Sequence, residues 1–464
     1  MDLPDGILAV VRLDCPTCTL VAPVVSELAG AGVVDVVSED SDDGLELSWR
    51  LGVETVPTLL RVRGGQVTER LEGWERSRWE AFAGVAGLGP GLPGHRPGCG
   101  SRTLDPGMAD DLAVRFAGDV LRSRRVEVGE LEDEAEAMFD RGWTDGLPVV
   151  PPTPARVLRM LAGTTREPGE VVAVVPPNMV EASVEKVAVN AVLAGCRPEY
   201  LPVVLAAVEA ACTDEFNIHG LLATTYFSGP MVVVNGPVAR AIGMNSGVNA
   251  LGQGNRANAT IGRALQLVVR NLGGGVPGGV DRATLGNPGK YSFCFAEDEE
   301  TSPWEPLAVE RGVPGGRSAV TLFAGEGPRA VVDQLSRTAD SLARSFASCL
   351  RTVAHPKLAI AFDAFVIVSP EHARVFRNDG WDKARLRTEV MSLLQLSGDS
   401  VVRGAGGIAE GLPEVVRGSS IPKFRADGLW FVHAGGRAGL FSAIIGGWVN
   451  GEAGSQPVTR EVRT

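Results

Sequence analysis

Two cysteines spaced Cys-x-x-Cys where a helix begins can cycle between dithiol and disulfide, and Leu13-Asp14-Cys15-Pro16-Thr17-Cys18 has this form. Ile7 to Leu13 is an aliphatic run of strand length. Apolar residues at Leu20, Val21, Val24, Val25 and Leu28 then recur at helical spacing, with Gly30 and Gly32 as the stop. A thiol at a helix N-terminus gains from the helix dipole, which favours the thiolate. Cys15, the first and more exposed position, is the expected nucleophile and Cys18 the resolving thiol, joined in a redox-active disulfide when oxidised. The bland alternative is half of a zinc site, but no second Cys-x-x-Cys or His pair stands at suitable spacing.

Other residues offer chemistry further along. Cys99 sits in a Gly/Pro-rich stretch, where it reads equally as an incidental thiol or as a shuttle relaying a disulfide between two sites. Cys196 lies between two apolar helices. Cys294 lies in Lys290 to Phe295, expected as a strand, three residues before Glu297, a candidate general base. His219, Asn235, Asn245 and Asn249 belong to an amide- and glycine-rich segment whose loops suit substrate binding. Arg256 follows Gly252-Gln253-Gly254-Asn255, formally Gly-x-Gly-x-x-Ala. No strand precedes that string, so an anion at the helix N-terminus fits better than a dinucleotide. Gly435 and Gly436 follow a predicted strand, Leu429 to His433, and let a ligand approach the backbone; Leu440 to Trp448 is expected to be the next helix.

Composition bounds the rest. A chain of 464 residues implies two or three domains, and 44% hydrophobic against 22% charged residues allows a large core. A net charge of −12 argues against nucleic acid or an anionic membrane surface as partner. No apolar run reaches the ~20 residues of a membrane span. The start, Met1-Asp2-Leu3-Pro4-Asp5, has no basic leader, so a cytoplasmic location is expected. Seven cysteines do not suggest a structural disulfide framework. Residues 1–88 form the expected first domain, 89–140 a Gly/Pro-rich linker and helical connector with a solvated acidic run from Glu127 to Glu136, and 141–464 a large α/β domain.

After the first helix come predicted strands at Val33 to Val37, Leu59 to Arg63 and Gln66 to Leu71, with helices over Leu45 to Leu51 and Glu75 to Ala86. This order, β-α-β-α-β-β-α, with Val56-Pro57-Thr58 opening the third strand, resembles a minimal thioredoxin fold over residues 5–88. The resemblance implies that Pro57 is cis and lies beside the cysteine pair, where the preceding carbonyl can pair with an extended substrate thiol. Asp14 stands where that family usually has Trp, and should raise the thiol pKa and blunt reactivity. The first strand carries no acid to relay the resolving proton. The second part, through Trp143 to Thr153, Ala194 to Tyr200, Asn235-Gly236-Pro237, Asn245 to Ala259, Phe293-Cys294-Phe295 and Ala434 to Trp448, resembles a poorly characterised bacterial family associated with UGSC-type (seleno)proteins. That motif's nearest string is Cys99-Gly100-Ser101-Arg102, with Arg in the place of the last Cys. The resemblance implies thiol chemistry without naming a reaction.

The fold class expected is therefore α/β, a small thioredoxin-like fold followed by a large α/β domain. The expected function is a thiol-dependent oxidoreductase acting on a small molecule. A large-domain cysteine, Cys196 or Cys294, would be re-reduced by Cys15 and Cys18, with an external thiol as reductant and a homo-oligomer as the assembly. No cofactor is firmly implied. The alternative is a zinc- or iron-dependent lyase or hydrolase with Cys196, His219, Cys294 and Glu297 as ligands; a foldase is the third reading.

Overall fold

The computed structural model describes residues 3–116, 120–129 and 132–463. Residues 117–119 of the expected connector, and Glu130 and Leu131 of the acidic run, lie outside the described residues. The chain forms two compact units, Met1–Leu121 and Arg122–Thr464.

The first unit runs β1 (Gly6–Val11), α1 (Pro16–Gly30), β2 (Asp35–Ser38), α2 (Asp42–Arg50), β3 (Thr55–Val56), β4 (Thr58–Arg63), β5 (Gln66–Glu72), β6 (Trp74–Glu75) and α3 (Arg76–Ala83). Its sheet has the order β2-β1-β4-β5, with β1 parallel to β2 and antiparallel to β4. Strand alternation explains why it is covered on both faces. Ile7 and Ala9 pack with Val21, Val24, Val25, Leu28, Trp74 and Trp79. Leu8 and Val10 pack with Val37, Leu60 and both cysteines of the Cys-x-x-Cys on the other face.

Residues 89–107, expected as a free linker, are instead built onto this unit. Here β7 (His95–Arg96) pairs with β6, and β8 (Cys99–Gly100) pairs antiparallel with β3. Helix α4 (Met108–Phe116) follows. The physical reason is that Gly and Pro here permit close backbone approach rather than looseness. A Cβ at Gly98 would stand 2.3 Å from Thr55 Cγ2 and 2.9 Å from the Val56 carbonyl oxygen. The indole nitrogen of Trp74 donates to Pro93 O at 2.6 Å, and Arg76 N to Gly94 O at 2.9 Å.

In the second unit come α5 (Glu134–Asp140), α6 (Pro154–Leu161), the hairpin β9 (Val171–Val175) and β10 (Val180–Ser183), α7 (Val184–Ala194), α8 (Leu201–Ala211) and α9 (Ile218–Ala223). Then follow β11 (Gly229–Asn235), α10 (Pro237–Ala241), α11 (Arg256–Asn271), β12 (Cys294–Ala296), α12 (Leu307–Glu310), β13 (Ala319–Gly325), β14 (Arg329–Val332) and α13 (Ala339–Leu350). The chain closes with β15 (Phe362–Val368), α14 (Pro370–Asn378), α15 (Lys383–Leu393), β16 (Gln395–Ser397), α16 (Gly398–Val401), β17 (Ser420–Pro422), β18 (Leu429–His433), β19 (Phe441–Val449) and β20 (Val458–Glu461). The large sheet has the order β12-β11-β13-β19-β15-β18, with β14 on β19 and β20 on β13. Among the described residues, no helix is long and apolar enough to cross a membrane.

Two expectations fail here. The strand expected over Lys290 to Phe295 is cut short, since Pro288–Lys290 is a 3-10 helix and β12 begins only at Cys294. The expected helix from Leu440 to Trp448 is the strand β19, which pairs with β14 and β15 and meets β13 at Gly447. Close packing demands glycine there: a Cβ at Gly446 would meet Glu326 Oε1 at 2.5 Å, and one at Gly447 would meet the Phe323 ring at 2.8 Å.

Beyond β14, Asp333 accepts hydrogen bonds from Ser336 N (2.8 Å), Ser336 Oγ (2.7 Å), Leu335 N (3.1 Å) and Ser345 Oγ. Burial alone would raise its pKa, but these donors outweigh it and hold the carboxyl at about 2, below the ordinary 3.8. The unfolded chain therefore binds the extra proton as pH falls from the ordinary value, so this stabilisation is full above about pH 4 and lost on going down through about pH 2. Asp333→Asn should cost the second unit roughly 2 kcal/mol at neutral pH and flatten its acid-unfolding curve below about pH 4. Denaturant melts of the two proteins across pH 2–6 check this, and parallel curves would contradict it.

Candidate active site

Helix α1 places the first thiol. Cys15 is its N-cap, and Cys15 Sγ accepts from Cys18 N at 3.2 Å. Cys15 Sγ also lies 3.6 Å from Val56 O, the carbonyl before Pro57, and the Val56–Pro57 peptide is cis as expected. Cys15 is 0% and Cys18 4% exposed, so neither faces solvent. Burial raises the Cys18 thiol strongly, with Cys15 and Cys99 adding to the rise against a backbone hydrogen bond from Arg12. Asp14 is ion-paired to Arg12 at 2.7 Å.

Cys99 completes a group of three sulfurs. On β8 it stands opposite Val56, and it is half-buried where the other two are buried. Burial pushes its pKa up, but hydrogen bonding with Cys15 and Thr17 and the charge of Arg12 bring it below the ordinary value; Cys99 Sγ lies 3.9 Å from Thr17 Oγ1. The strand is pinned on both sides of this residue. Before it, Thr17 Oγ1 donates to Pro97 O at 2.8 Å. After it, Arg12 Nη1 donates to Gly100 O at 2.9 Å and Ser101 N to Glu54 O at 2.9 Å. Glu39, 1% exposed, accepts from Ser48 Oγ, from Ser101 Oγ and from Arg102 N at 2.8 Å. Arg12, Thr17 and Glu39 were not singled out from sequence. Thr17 lies inside the Cys-x-x-Cys and was the one visible signal.

The residues expected to act in the second unit do not form one site. Cys196 is buried, donates to Thr260 O at 3.4 Å, and has its thiol pushed up to about 12 by burial. Cys294, on β12 against Gly262, is likewise buried and its pKa raised by burial, with Cys196 adding to the rise. Neither is activated. Glu297 is not a base for Cys294: its carboxylate accepts from Asn235 Nδ2 (2.7 Å), Leu307 N (2.7 Å) and His433 N (3.4 Å), tying together the ends of β11, β12 and β18, and burial raises its pKa. His219 is exposed on α9. Among the described residues, no group of three or more His, Cys, Asp and Glu is placed to hold a metal, so Cys196, His219, Cys294 and Glu297 are not a ligand set.

The amide-rich loops come together in part. Gly435 N donates to Ser246 O at 2.8 Å, and a Cβ at Gly436 would meet Val248 at 3.0 Å, so the two glycines serve loop packing. Asn245 lines an open cavity of about 420 Å³ with Gln253, Gly254 and Asn255. Asn249, at φ +59°, donates to Gln253 O at 2.8 Å, and Arg256 Nε to Gly195 O at 2.9 Å, so both brace loops. A second cavity of about 290 Å³ was not foreseen. It is lined by Thr301, Glu371, Arg374, Arg377, His433 and Arg437, around the start of α14 and the end of β18. No motif marks it, because its residues come from three separate segments.

No family model matches the chain. Thioredoxin of Haemophilus influenzae is 42% identical over 55 residues, 11% of this chain and 51% of that protein. Thioredoxin 1 of Nostoc sp. is 34% identical over 61 residues, 13% of this chain and 57% of that protein. Among solved structures, that of thioredoxin O2 from Arabidopsis thaliana in the oxidized state matches at 25% identity and a TM-score of 0.15, covering 17% of this chain and 70% of that one. The chain thus spans little more than half the length of the curated relatives it matches. The first unit is similar to these thioredoxins over the matched residues and has a thioredoxin-like order of elements, within a two-domain α/β protein.

Proposed function

We propose that the protein is a thiol–disulfide oxidoreductase in which Cys15 attacks and Cys18 resolves. The observation that carries this is the placement of Cys15 Sγ at the N-terminus of α1, 3.2 Å from Cys18 N and 3.6 Å from Val56 O. Cys18 is thereby adjacent to any disulfide formed on Cys15, and its high thiol pKa favours its capture in a disulfide over its release as thiolate. Oxidation followed by alkylation and peptide mapping is expected to show a Cys15–Cys18 disulfide that dithiothreitol reduces. Free alkylation of both thiols after oxidation defeats the reading.

The finer reading is that this exchange serves a reaction of the second unit on a small molecule, with a cysteine of that unit re-reduced and an external thiol closing the cycle. Support for a small-molecule site is the 290 Å³ cavity, where Arg374, Arg377 and Arg437 favour an anionic ligand. Cys196 and Cys294 line neither cavity; Cys212 and Cys349 are half-buried, with the pKa of both thiols raised by burial.

A further inference from the structure

We propose that Cys99 is a third redox residue, the thiol through which external disulfides enter and leave a Cys15–Cys18 pair that the chain itself covers. This rests on the exchange reading above and adds to it the order in which the sulfurs react.

Three observations carry it. The pair that should do the chemistry is buried, at 0% and 4% exposure, so an outside disulfide cannot reach it in this conformation. What covers it is strand β8, whose Cys99 stands opposite Val56, the residue whose carbonyl oxygen lies 3.6 Å from Cys15 Sγ. An extended partner delivering a sulfur to Cys15 would add to β3 by the same edge pairing, so the chain's own strand occupies that place. Lastly, Cys99 packs against the buried cluster that holds Cys15 and Cys18 and is the most accessible of the three sulfurs. The pinning by Thr17, Glu54 and Glu39 makes it a fixed relay and not a swinging tether.

The steps balance. The Cys99 thiolate attacks an external disulfide, RSSR, forming Cys99–SR and releasing one RS⁻. The Cys15 thiolate then attacks Cys99 Sγ, breaking the bond to SR, releasing the second RS⁻ and forming Cys15–Cys99. Finally Cys18 attacks Cys15 Sγ, its proton passing to the departing Cys99 sulfur, forms Cys15–Cys18 and returns Cys99 as the thiol, which re-ionises at its more exposed position. The sum is one external disulfide reduced to two thiols and one dithiol oxidised to a disulfide. A low-pKa Cys99 is the better leaving group in the last step, which sets the direction.

The test uses the full chain with glutathione disulfide as probe. Reduced Cys18→Ser protein is expected to lose two hydrogens in mass without an adduct, and peptide mapping to show a Cys15–Cys99 crosslink. Cys99→Ala and Cys99→Ser should each slow formation of the Cys15–Cys18 disulfide by about tenfold or more, because the accessible thiolate is gone. If Cys18→Ser instead carries glutathione on Cys15 with Cys99 free, the relay is wrong. If the Cys99 variants oxidise as fast as the unsubstituted protein or faster, β8 is only a cover and the relay is again wrong. If the unsubstituted protein forms no Cys15–Cys18 disulfide at all, the exchange reading falls and takes the relay with it; its formation without the Cys15–Cys99 crosslink defeats the relay alone.

Discussion

Cys15→Ser is expected to bring steady-state disulfide exchange down to the uncatalysed rate while leaving the fold intact. Serine is a favourable N-cap, and its Oγ can keep the hydrogen bond from Cys18 N that the sulfur accepts at 3.2 Å. What is lost is the sulfur: a hydroxyl is not ionised at neutral pH and cannot join a disulfide, so no disulfide forms on residue 15 for Cys18 to resolve and the cycle cannot close. Cys18→Ser should behave differently, permitting one attack and then stalling. Turnover of glutathione disulfide with a coupled reductase, alongside a thermal melt, separates loss of chemistry from loss of structure. Retention of more than about a tenth of the rate by a folded Cys15→Ser protein would mean that the exchange does not pass through Cys15.

Glu39→Ala should have the largest effect on stability, and should also expose the reactive pair. The Glu39 carboxylate accepts from two hydroxyls and one backbone amide and is almost wholly enclosed. Removing it leaves those donors buried without a partner, a cost of about 2–4 kcal/mol to the first unit. Two of the three donors belong to Ser101 and Arg102, directly after β8, so the loss falls on the anchor of the covering strand. Urea unfolding should report the destabilisation, and iodoacetamide should label Cys15 faster than in the unsubstituted protein. Glu39→Gln keeps an acceptor and should fall between. Loss of stability with no change in Cys15 labelling would show that β8 is held by its other contacts alone.

How much of this was legible in the sequence depended on the range of the forces involved. The strand, Cys-x-x-Cys and helix, and the β-α-β-α-β-β-α order, are written in short apolar periods and caps that act within a few residues, and the elements from β1 to α3 follow them. The positions of Cys15, Cys18 and Pro57 came with that order. The tertiary structure decided what distant segments do to one another. Composition marks residues 89–107 as a linker, because Gly and Pro carry no period. Only the fit of Gly98 against Thr55 and Val56, and the reach of Glu39 to Ser101 and Arg102, turn that segment into the strand that brings Cys99 to Cys15. In the second unit β19 is expected as the helix after a strand and a glycine-rich turn, yet its central place between β13 and β15 makes it a strand, since a sheet supplies backbone partners and space for Gly446 and Gly447 that no local pattern announces. Likewise Cys196, Cys294, Glu297 and His219 are chemically able residues in sequence. In the structure burial raises the pKa of both thiols, hydrogen bonds engage Glu297, and His219 stands exposed on α9.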